Sequence, residues 1–177
     1  SSPPKDEEFL HAGLFSEPLV PASPTTPQEN RDLAEALQAY QEAEQRAGAP
    51  DAVSPLVDFL VRHSNSPWKP TLQLNLGIIY RQTGHFSKAL SIWQEGWHDS
   101  RNLTTRNGRE VVNAMVARLS QLEAYLGRKE LLAPLLASIK GRKVGGTAAQ
   151  LLTDSRTGLY EMIHDPGVSF LCGPLAL

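Results

Sequence analysis

Side chains able to do covalent or metal chemistry are sparse in these 177 residues. The single thiol is Cys172, so an internal disulfide and a thiolate-rich metal site are both excluded. It opens the run Cys172-Gly173-Pro174-Leu175-Ala176-Leu177, where Pro174 suits a first helical turn because its missing N–H has no partner to lose. A thiol needs a base to become a nucleophile, and His11, His63, His85, His98 and His164 all precede it. Glu161-x-x-His164-Asp165 offers three ligand types on one helical turn without a distant fourth, so no metal site is assigned. No motif calls for a cofactor.

The elements that must position these groups read as helices. Leu33, Leu37, Tyr40 and Ala47 recur at helical spacing, and Leu56, Phe59, Leu60 and His63 mark a second buried face. Gly48-Ala49-Pro50-Asp51 separates the two and offers Asp51 as the next N-cap. No stretch alternates as a strand does, so the domain is all-α. Residues 1–28 differ: Pro3, Pro4, Pro18, Pro21, Pro24 and Pro27 oppose a sustained helix and favour extended backbone. Phe9, Leu10, Leu14, Phe15, Leu19 and Val20 make that stretch too apolar for a free linker, so it reads as an arm lying on the folded body. The organisation is an extended arm over 1–28, a helical domain over 29–164 and a distinct segment over 165–177. With 17 basic against 19 acidic side chains there is no basic face for nucleic acid. No apolar run approaches the ~20 residues of a membrane span.

Leu76-Gly77-Ile78-Ile79-Tyr80, followed by Gly84, Phe86, Ala89 and Trp93, resembles the tetratricopeptide repeat. Gln73 and Gly96 are the departures, standing where that family favours Trp and Ala. The spacing has a physical basis: small residues at Gly77 and Ala89 let paired helices approach, and Gly84 ends the first of them in a conformation cheap only for glycine. One helix pair cannot bury its own apolar face, so neighbours are required. Downstream, Val112, Met115, Leu119, Leu122 and Leu126 predict a long helix, Gly127 a turn, and Leu131, Leu132, Leu135, Leu136 and Ile139 its partner. A last helix near 148–163, with Leu151, Leu152, Leu159 and Met162 on one side, caps a stack of about three hairpins. Trp68, Trp93 and Trp97 read as core.

The resemblance implies a groove lined by the first helix of each pair. In its register Thr71, Leu74, Asn75, Ile78, Arg81 and Gln82 face that groove, followed by Arg118, Gln121 and Tyr125. Asn75 and Arg118 match two of the five positions that clamp a carboxylate in chaperone-binding members, but Ala114 stands where a Lys belongs, which argues against that ligand. Taken alone, polar residues on such a face are ordinarily solvated. The groove suits an extended protein or peptide segment, and the chain's own arm is one candidate occupant.

The terminal Cys172-Gly173-Pro174-Leu175-Ala176-Leu177 is similar to the nucleophile segment of papain-like peptidases, especially the bacterial group that trims double-glycine leader peptides. That likeness implies Cys172 as a nucleophile at a helix N-terminus, where the helix dipole favours thiolate. Degenerate repeats followed by this motif also resemble the N-terminal region of very large bacterial Rhs/YD-repeat proteins, which implies a secreted or surface setting. A papain-like site needs a His and an Asn or Asp downstream of the cysteine. No peptidase activity is therefore expected of these residues alone. Two functions follow from the sequence: a helical-repeat interaction module within a larger polypeptide, or one part of a cysteine peptidase completed downstream.

Overall fold

Proline and threonine set where the helices begin. A computed structural model describes residues 1–46 and 51–169. Helix α1 (Asp6–Leu10) is a single short turn within the arm. Helix α2 (Pro27–Glu44) begins two residues before the sequence boundary, because Thr26 and Glu29 form a capping box and Pro27 has no N–H to lose. Helix α3 (Ser54–Arg62) has Val53 at its N-cap, and the expected cap Asp51 instead accepts the Ser54 N–H within the preceding turn. Pro55 and Pro70 occupy first turns of α3 and α4 (Lys69–Gln82). Helices α5 (Phe86–Ser100), α6 (Arg106–Tyr125), α7 (Lys129–Ser138), α8 (Gly146–His164) and α9 (Pro166–Ser169) complete the order. Pro134 lies inside α7. No strand occurs among the described residues.

The architecture is an all-α stack of three hairpins, α2/α3, α4/α5 and α6/α7, with α8 packed mainly on α6. Two hairpins turn on the same device. Gly84 at φ +80° lets the His85 N–H reach the Tyr80 carbonyl and its own N–H reach that of Arg81. Gly127 at φ +70° does the same with Arg128 to Glu123 and its own N–H to Ala124. These crossed bonds satisfy carbonyls that a helix end leaves open, and the left-handed residue between them favours glycine. Gly77 answers a different need: a Cβ there would overlap the Trp93 indole. Trp93 is fully buried, and its Nε1–H donates to the Leu74 carbonyl at 3.2 Å. Gly96 likewise leaves room for the Met115 thioether, which is why α5 carries no side chain at that position.

Three apolar clusters follow the three hairpins. The first joins Leu33, Leu56, Phe59, Trp68 and Leu72 with Phe9 and Leu19 of the arm. The second holds Trp93 between α4 and α6, and the third packs Trp97, Leu132 and Leu136 against Leu152 and Met162 of α8. Two expected core leucines are exposed. Leu10 ends the short arm helix with Phe9 taking the buried side, and Leu131 lies off the Leu132–Leu136 stripe that faces α6 and α8. Gly48 and Ala47 lie outside the described residues, as does Cys172.

Candidate functional site

The arm crosses the face formed by α4 and α6, and its polar contacts there repeat along the chain. Asn75 on α4 is 2% exposed; its Oδ1 accepts the Glu17 N–H at 3.0 Å while its Nδ2 donates to the Thr71 carbonyl. Thr71 is fully buried, accepts the Val20 N–H at 3.3 Å and donates to the Pro18 carbonyl at 3.2 Å. Arg118 on α6 holds the Glu17 carboxylate at 3.2 Å. The Ala22 N–H donates to the Pro67 carbonyl at 2.9 Å, and the Thr105 hydroxyl donates to the Ala22 carbonyl. Leu19 turns into the first apolar cluster and Val20 packs on the second. The solvated state ordinary for such polar residues is thus overturned for Thr71 and Asn75. They are covered because the arm supplies backbone donors and acceptors that replace water.

Other expected groove residues divide. Arg81 donates to Gln121 Oε1 at 2.9 Å and lies over the Tyr125 ring, 5.5 Å from its centroid. Burial lowers the Arg81 pKa, and the nearby Arg118 charge lowers it further. Gln82 is exposed at the end of α4. Leu74 and Ile78 are buried in the cluster around Trp93, against which Val20 of the arm also packs.

The arm's root is fixed by a hub that residue spacing did not reveal. Asn30 of α2 is 4% exposed and uses three bonds. Its Oδ1 accepts from Trp68 Nε1 at 2.9 Å, and its Nδ2 donates to the Pro4 carbonyl at 3.0 Å and to Asp6 Oδ1 at 2.8 Å. Thr25 donates to the same Asp6 oxygen at 2.7 Å, and the Phe9 ring meets Trp68 edge-on at 4.9 Å. The available signal was the polar Asn30 one turn before Leu33 on an otherwise apolar face. Thr105 caps α6, its hydroxyl accepting the Gly108 N–H, and the same hydroxyl makes the arm contact.

Some buried polar atoms lack such partners. Among the described residues Gln73 Oε1, Glu123 Oε2 and Arg142 Nη2 meet no hydrogen-bonding group. Burial raises the Glu123 pKa to about 7, opposed in part by a hydrogen bond from Gln94 and the charge of Arg128. No three His, Cys, Asp or Glu side chains among the described residues are grouped to hold a metal ion. No helix among them is long and apolar enough to cross a membrane. No protein-family model, curated protein or solved structure matches the chain.

Proposed function

We propose that this chain is an interaction module whose α4/α6 face receives an extended protein segment, with its own arm as resident occupant. The supporting observation is the run from Glu17 to Ala22, where alternate backbone groups are read by Asn75, Thr71, Pro67 and Thr105 while Arg118 selects an acidic side chain. Recognition through main-chain bonds plus one charged contact fits a segment of another protein, or of a longer polypeptide containing this chain, that repeats the arm's pattern. The resemblance to tetratricopeptide repeats supports the same reading, because such stacks present one helix of each pair to a ligand.

A labelled peptide copying residues 12–26 tests it. An attached arm competes at high effective concentration, so the intact chain takes up the peptide weakly. The variant Glu17→Arg sets its own arm against Arg118 and should bind the peptide about ten-fold more tightly, a gain of roughly 1.4 kcal/mol. Adding Arg118→Glu to that variant should abolish the gain. Failure of every variant to bind would overturn the proposal.

A further inference from the structure

On the far side of α4 a second groove, of about 520 Å³, runs between α3 and α5, and none of the described residues is laid across it. Its floor is a row of α4 side chains, Lys69, Gln73, Leu76 and Tyr80. Those end positions are eleven residues apart, about 16 Å of helix axis or three turns. Val57, Leu60 and Val61 form one wall and Ile92 the other, beside the small Ser87 and Ser91. Val61 is 76% exposed and Val57 36%, one turn apart on α3 at the groove's edge.

The occupant's backbone can be argued from the walls. The main-chain groups of α3, α4 and α5 are engaged within their helices, and the uncharged polar side chains of the lining are few: Gln73 and Tyr80 on the floor and Ser87 and Ser91 beside Ile92. An extended segment would bury its N–H and C=O groups against Val, Leu and Ile, at a cost of about 1–3 kcal/mol for each one unpaired. A helix satisfies its own backbone and needs only an apolar stripe. Three turns of floor match anchors at i, i+4 and i+7.

Charge completes the description. At one end Lys69 is already held by Glu95 at 3.5 Å and Asp99 at 3.7 Å. The other end continues into a hollow bearing Glu44, Asp51 and Asp58. Facing them are His85 and Lys88, whose ammonium lies 5.7 Å from the Tyr80 ring centroid. Carboxylates outnumber ammonium groups at both ends. We propose that this groove docks an amphipathic helix of a partner protein, with leucine-like anchors flanked by lysine or arginine.

The test uses the full chain with its arm in place, so its outcome is independent of what the α4/α6 face receives. The probe is a synthetic helix of about five turns, with Leu at i, i+4, i+7 and i+11 and Lys beside them, read by fluorescence anisotropy. A counterpart carries Glu for every Lys. The Lys peptide should bind at least about ten-fold more tightly than the Glu peptide. Val61→Lys and, separately, Asp58→Lys should each weaken it about ten-fold. Both positions are exposed, and unchanged circular dichroism confirms that each variant folds. Equal binding of the two peptides would overturn the proposal, as would binding indifferent to Val61→Lys. Self-association of the chain abolished by Val61→Lys would also overturn it, by identifying a second copy as the occupant.

Discussion

The two sides of α4 bury polar atoms in opposite ways. Under the arm, Thr71 and Asn75 have partners in the arm backbone, and Asn30 ties the arm's root to Trp68. Toward α3 and α5, Gln73 keeps a carbonyl oxygen buried without a partner. The same contrast recurs on α6, where Ser120 donates to the Val116 carbonyl while one oxygen of Glu123 has none. Satisfied polar groups specify where a segment lies, since each must meet one particular donor or acceptor. Unsatisfied ones cost stability without giving that information.

The largest effect should come from breaking the satisfied side at its hub. Asn30→Ala leaves the Trp68 N–H and the Pro4 carbonyl unpaired, and should cost about 3 kcal/mol. Denaturant titration measures this, and limited proteolysis should show the arm cleaved first. A loss under about 1 kcal/mol would remove Asn30 from that role.

Next is Glu123. Its folded pKa of about 7 lies above the ordinary 4.5, so the native state holds the proton more tightly than the unfolded chain. Stability from that proton is fully present below the unfolded value and is lost as pH rises through about 7. Glu123→Gln should therefore gain on the order of 2 kcal/mol over the parent at pH 8 and almost nothing near pH 5. A gain independent of pH would mean that the carboxylate is already satisfied.

The smallest change sharpens the contrast directly. Gln73→Leu removes a buried unpaired carbonyl at nearly constant volume and should stabilise by about 1 kcal/mol, whereas Asn75→Leu should destabilise. Thermal unfolding of both variants compares the two sides of one helix. Destabilisation by both would erase the distinction.

The helices were legible because their signals are local. Gly84 and Gly127 act within a turn or two of themselves, and the apolar spacing of Leu33, Leu37 and Tyr40 marks one face. The Thr26–Glu29 box and Pro27 are just as local, but they sit at the end of a proline-rich stretch that reads as arm. Less was legible where a residue's neighbours are distant. Ile78 and Leu74 share the groove register with Asn75, and their burial in the Trp93 cluster depends on helices far off in sequence. Asp51 has cap chemistry, but its carbonyl closes a turn onto the Ser54 N–H and the N-cap falls two residues later, at Val53.

Sequence alone determined that the chain is helical, where the hairpins at Gly84 and Gly127 turn, and that Gly77 must stay small, because periodicity, capping and glycine conformation are short-range. Tertiary structure alone decided that the arm lies across α4 and α6, through contacts such as Glu17 to Arg118, 101 residues apart. It also decided which side of α4 the other described residues leave uncovered. Those outcomes depend on which buried donors and acceptors meet once the helices have packed, and no local pattern encodes that meeting.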